Sequence, residues 1–158
     1  MPNPQKESLF VLIKSLSKSE KRQFKLYVGR FEGNVNSKFL ALFTFLEKSQ
    51  TYDEAAILKK KIVTKRQLSN LKANLYKQIL KSLRLNPAQH NIRISIREQL
   101  DYATILYNKG LYTQSLKLLD KAKILALEHE KKNVAYEIVE LEKIIETQYI
   151  TRSMSSRA

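Results

Sequence analysis

The chain has 158 residues, no cysteine, three glycines, three prolines and a formal net charge of +14. Lack of cysteine excludes a disulfide framework, thiol catalysis and cysteine-ligated zinc, and a hydrophobic share of 43% against 28% charged residues excludes wholesale disorder. So few breakers, with no stretch alternating in twos, predict an all-α protein of helices joined by short polar turns.

The first apolar run, "LFVLI" from Leu9 to Ile13, is too short for a signal-peptide core or a membrane span, so a reducing cytoplasm and no membrane partner are expected. Three Ser/Thr-x-x-Glu/Gln spacings then mark helix starts: Ser17–Glu20, Thr51–Glu54 and Thr64–Gln67. They predict helices over about 8–18, 18–31, 52–61 and 65–85, with another over about 37–49 after the loop "EGNVN". In that helix Phe39 and Phe43, with Leu40, Leu42 and Leu46, have the spacing of a core face. Phe45 lies off this stripe and is expected to pack on a neighbouring helix.

The longest of these helices is two-faced. At 100° per residue Leu68, Leu71, Leu75, Tyr76, Ile79, Leu80 and Leu83 fall on one broad apolar arc. Arg66, Lys77, Lys81 and Arg84, with Asn70 and Asn74, fall opposite. Lys72 lies inside the apolar arc and is expected to snorkel outward. Asn86–Pro87 ends the helix, because proline lacks the N–H and disfavours helical geometry before it. This places a boundary between an N-terminal helical domain, 1–86, and a second helical region, 87–150, followed by a polar, fraying tail over 151–158.

The second region opens with "QLDYATILYNKGLYTQSLKLLDKAK", two amphipathic stretches around Lys109–Gly110–Leu111. With small residues at Ala103, Ser115 and Ala122, a turn glycine at Gly110, an aromatic at Tyr112 and large residues at Tyr102, Leu106, Leu116 and Leu119, residues 96–130 resemble a tetratricopeptide repeat, a helix–turn–helix unit of about 34 residues. The resemblance implies close helix contact at the three small residues and the start of an α-solenoid. Gln99 stands where the repeat carries Trp. Leu127 stands where it ends in Pro, so the second helix should run on to about Glu130. The segments "IKSLSKSEKRQFKLY", "KQILKSLRL" and "YNKGLY" are similar to bacterial helical-repeat proteins of greater length, which implies an N-terminal portion of a longer array. A last helix is expected over about 133–150, with Val134, Ile138, Leu141, Ile145 and Tyr149 on one face. Tyr136, Val139 and Ile150 form a second apolar strip, expected to carry self-association as a homodimer.

Charge is distributed unevenly. Residues 55–97 hold eleven basic side chains and no acid, whereas 1–54 hold nine basic and six acidic and 98–158 hold nine of each. Three explanations stand: a solvated face whose counter-charges lie on a neighbour, a dock for an acidic protein, or a nucleic-acid site. For either functional case the candidate residues are Lys59, Lys60, Lys61, Lys65 and Arg66 at a helix–turn–helix junction, then Lys77, Lys81 and Arg84 along the ridge.

No chemistry-bearing constellation is evident. His90 and His129 stand in unrelated contexts, and the glycines Gly29, Gly33 and Gly110 cannot build a phosphate loop. The carboxylates Glu137, Glu140, Glu142 and Glu146 spread around a helix with Lys143 as their expected partner. No catalytic residue, cofactor or metal is therefore expected. The function expected is a non-enzymatic scaffold or adaptor for a protein partner, the alternative being a nucleic-acid-binding regulator that uses the 59–84 ridge.

Overall fold

The computed structural model describes residues 7–31, 34–86 and 91–155, with side chains at 7–31, 37–86 and 91–149. Among the described residues there are eight helices and no strand, so the protein is all-α. They are α1 (Ser8–Ser15), α2 (Lys18–Val28), α3 (Asn34–Lys48), α4 (Glu54–Lys59), α5 (Lys65–Leu85), α6 (Ile92–Asn108), α7 (Tyr112–Glu128) and α8 (Lys132–Ser155). The chain divides into two compact units, Met1–Gln89 and His90–Ala158, each with its own apolar core. Pro87 and His90 lie outside the described residues.

In the first unit, α1 stops at Ser15 because Ser17 adopts extended geometry to cap α2. The Ser17 hydroxyl accepts from the Glu20 amide at 3.2 Å, and the Glu20 carboxylate accepts from the Ser17 amide at 2.8 Å. The other two spacings are not capping boxes. α4 is capped by Asp53, whose Oδ1 accepts from the amides of Ala55 and Ala56, so Thr51 lies upstream of the helix start. A carboxylate also suits the positive helix terminus better than a hydroxyl does. Thr64 occupies the cap position of α5, yet its side chain makes no capping bond. α3 starts at Asn34, inside the segment expected to be loop.

Phe24 and Phe43 meet at 4.6 Å in the core, with Ile13, Leu42, Leu46, Ile57, Leu75 and Ile79 fully buried around them. α5 contributes Leu68, Leu71, Leu75, Ile79 and Ser82 to this core. Tyr76 and Leu80 are 36% and 45% exposed, not buried as their place in the sequence arc suggested. They lie roughly 100° or more from the centre of the buried stripe, beyond the reach of the helices that cover it.

In the second unit α6, α7 and α8 start at Ile92, Tyr112 and Lys132, and the first start is capped by Asn91. Both connections are Schellman turns. In the first, Leu111 N–H donates to Leu106 O and Gly110 N–H to Tyr107 O, with Gly110 at φ 76°. In the second, Lys131 N–H donates to Ala126 O and Glu130 N–H to Leu127 O, with Glu130 in the left-handed position at φ 55°. α7 accordingly ends at Glu128, close to its expected limit. Ala103, Ser115, Leu119 and Ala122 are buried to 1% exposure or less, and Leu116 packs at the edge of that core. Tyr102, expected to pack, is instead 46% exposed, and its hydroxyl donates to Glu98 one helical turn back.

The paired turns give a prediction of opposite signs. A Cβ at Gly110 meets nothing within 4 Å, so Gly110→Val costs only the backbone strain, on the order of 1–2 kcal/mol. Glu130→Gly relieves the same strain and should stabilise by up to about 1 kcal/mol. Thermal melts should move down for the first variant and up for the second; shifts of the same sign would refute the shared turn geometry.

Candidate anionic-partner interface

The basic candidates lie on one helical arm. Lys59 ends α4, Lys60 caps it, and Lys61 takes a left-handed conformation at φ 52° to start the turn into α5. Lys65 and Arg66 occupy the first turn of α5, and Lys77, Lys81 and Arg84 recur at i, i+4 and i+7 further along. All eight side chains are exposed. Asn70 and Asn74 are exposed on the same side of α5.

The start of α5, like those of α1 and α3, carries no acid in its first turn. α2 and α4 each carry an acid in the first turn, where it complements the positive end of the helix. α5 has no acid there and no side-chain cap, and places Lys65 and Arg66 against that positive end. This arrangement raises the local potential at a cost to helix stability of a few tenths of a kcal/mol per charge, roughly 0.3–1.

Among the described residues none of Lys59, Lys60, Lys61, Lys65, Arg66, Lys77 and Lys81 makes an ion pair, while Arg84 has a contact of its own. Of the five acids described in this unit, Glu54 lies in the first turn of α4 and the other four are committed elsewhere. Glu47 takes Lys25 at 2.9 Å and Lys21 at 3.9 Å, Glu7 takes Lys72 at 3.2 Å, and Glu20 and Asp53 serve as caps. Among the described residues, then, no ion pair compensates these seven cations.

Lys72 does not snorkel into solvent. Its Nζ donates to Tyr52 Oη at 3.0 Å, sits 5.1 Å from the centre of that ring and pairs with Glu7. Burial pulls the Lys72 pKa down, but the bond to Tyr52 and the Glu7 carboxylate outweigh it, leaving it above its ordinary 10.5. Tyr52 also lies above its ordinary 10.0, chiefly because burial disfavours the phenolate, with Lys72 opposing. The folded chain thus holds both protons to higher pH than the unfolded chain. The associated stability is fully present below about pH 10 and is lost as pH rises through the folded-state values. Denaturant midpoints should hold steady to about pH 9 and then fall, and the fall should be smaller in Lys72→Met. At neutral pH that variant should cost about 1.5 kcal/mol or more, since Glu7 loses its partner. An alkaline fall identical in both proteins would overturn this account.

No protein-family model, curated protein or solved structure matches the chain.

The remaining candidates fall apart or lie elsewhere. His129 is an exposed C-cap of α7. Glu137 pairs with Arg97 at 2.7 Å and Glu142 with Lys123 at 3.0 Å, so their partners come from α6 and α7 rather than from Lys143. The hydrogen bond from Lys123 to Glu142 holds that ammonium above its usual pKa. No group of His, Asp or Glu among the described residues is arranged to hold a metal ion, and no helix among them is long and apolar enough to cross a membrane. On α8, Tyr136 is 68% exposed and Val139 half-buried, while the Ile150 side chain lies outside the described residues. Sequence reasoning missed Lys48, Leu40, Phe45 and Ile62 as surface features, because they come together only when α3 meets the α4–α5 turn.

Proposed function

We propose that this protein is a non-enzymatic helical scaffold that binds an acidic protein partner through the α4–α5 arm, with the second unit serving as the start of a tetratricopeptide-like solenoid. The observation that carries the reading is the run of seven exposed cations without an ion pair among the described residues, near four acids, Glu7, Glu20, Glu47 and Asp53, that are engaged elsewhere. Exposed, uncompensated cations supply fast encounter and partner discrimination. In support of the solenoid, three helices joined by the same turn bury Ala103, Ser115 and Ala122 where helices approach closely. Their starts, at 92, 112 and 132, give a two-helix unit somewhat longer than the tetratricopeptide repeat of about 34 residues.

The α4–turn–α5 junction favours a second reading, a nucleic-acid-binding regulator, because Lys65, Arg66, Gln67 and Asn70 are exposed at the start of the second helix of the pair. Binding to immobilised polyglutamate and to labelled duplex DNA and RNA, each at about 50 and 200 mM salt, separates the two. The scaffold reading expects retention on the acidic polypeptide and no nucleic-acid shift at the higher salt. A nucleic-acid complex that survives at the higher salt and tightens by orders of magnitude at the lower decides for the regulator.

A further inference from the structure

Between α3 and the α4–α5 turn runs an open groove of about 730 Å3. Leu40, Ala41, Phe45 and Ile62 make its apolar walls, and Lys48 and Lys60 also line it. A second hollow of about 560 Å3 shares Ile62, with Lys38, Lys61 and Lys65 among its lining residues. Among the described residues, none that lines either hollow is acidic. The five lysines are exposed and make no ion pair among the described residues. Phe45 and Ile62 are only half-buried, so they offer apolar surface to an incoming group while resting on the core.

We propose that this groove seats the apolar anchor of an acidic helical segment from a partner protein: one large apolar side chain enters between Leu40, Phe45 and Ile62, and flanking carboxylates meet Lys48, Lys60 and the lysines of the second hollow. The proposal rests on the reading of the α4–α5 arm as an acidic-protein dock and adds to it the place where the partner is held. Charges on an exposed ridge give encounter and orientation but little lasting affinity. An apolar cleft of this size, in the range of about 300–1,000 Å3 typical of binding sites, supplies the water-excluding contact that the ridge lacks. The walls are mainly aliphatic and present one half-buried ring, whereas strands of nucleic acid are held by aromatic faces on which successive bases stack. A helix with an apolar anchor among acids matches both the walls and the rim.

The test uses the full chain and a fluorescent Glu-rich helical peptide with one central Phe, its Phe→Ala counterpart and a labelled DNA duplex, with binding read by anisotropy. The Phe peptide should bind about tenfold tighter or more than the Ala peptide, about 1.4 kcal/mol. Ala41→Phe fills the groove from an exposed position without changing charge and should erase that preference. Thr44→Phe, on the same wall, serves if the first variant does not fold. Equal, salt-dependent binding of both peptides overturns the groove and leaves the ridge reading standing. Binding of neither peptide overturns both. A Phe preference that persists in the filled variants overturns this location, and binding of the duplex alone overturns the proposal in favour of nucleic acid.

Discussion

Ser115→Leu should destabilise the second unit by about 2–4 kcal/mol, the largest loss expected from any single change at the α6–α7 contact. Ser115 is fully buried, and its hydroxyl donates to the Ala103 carbonyl at 2.7 Å. Ala103 and Ala122, also buried, let the two helices approach closely at this point. A leucine has no room there, and overpacking of a close-packed site costs about 1–3 kcal/mol. Loss of the hydrogen bond adds about 1 kcal/mol. Ser115→Ala separates the two terms, since it removes the bond without adding bulk and should cost only the smaller amount. Hydrogen exchange of α6 and α7 amides would report both. Equal protection in the leucine variant and the parent would mean that the helices do not meet at Ser115.

Reversing Lys77, Lys81 and Arg84 to Glu should abolish binding to an acidic polypeptide and leave the melting curve almost unmoved. All three side chains are exposed, and surface changes of this kind shift stability by about 0.5 kcal/mol or less. Like charges brought together at an interface cost several kcal/mol, so affinity should fall by about a hundredfold or more at low salt. Because Arg84 has a contact of its own, the double variant Lys77→Glu, Lys81→Glu is the cleaner test of the ridge. Unchanged retention on polyglutamate would remove the ridge from the interface.

What was legible in the sequence depended on how far apart the interacting residues stand. Ser17 and Glu20 satisfy one another within a single turn, so their spacing carried the whole signal. Thr51 and Thr64 have the same spacing, but at Thr51 a neighbouring carboxylate two residues on takes the amides, a competition that pattern alone does not rank. Gly110 was legible because only a left-handed residue completes that turn, whereas its counterpart Glu130 carries no such mark. Lys72 was misread because its partners, Tyr52 and Glu7, come from distant parts of the chain. The groove beside Phe45 was invisible for the same reason. The basic ridge was fully legible, but that Glu7, Glu47 and Asp53 are engaged away from it became visible only in the folded chain.

α5 holds Arg66 and Arg84 about 27 Å apart along its axis, at about 1.5 Å per residue. At physiological ionic strength the Debye length is about 8 Å, so the two ends of the helix are electrostatically independent of one another. The beginning, where Lys65 and Arg66 add to the positive helix terminus, and the end, where Arg84 meets the negative one, therefore act as two separate attractors for a short acidic segment. A ligand held by charge alone at either one would be bound weakly. A contact of another kind is needed to hold one alignment for long, and on this side of α5 the exposed amides of Asn70 and Asn74 stand between the two ends.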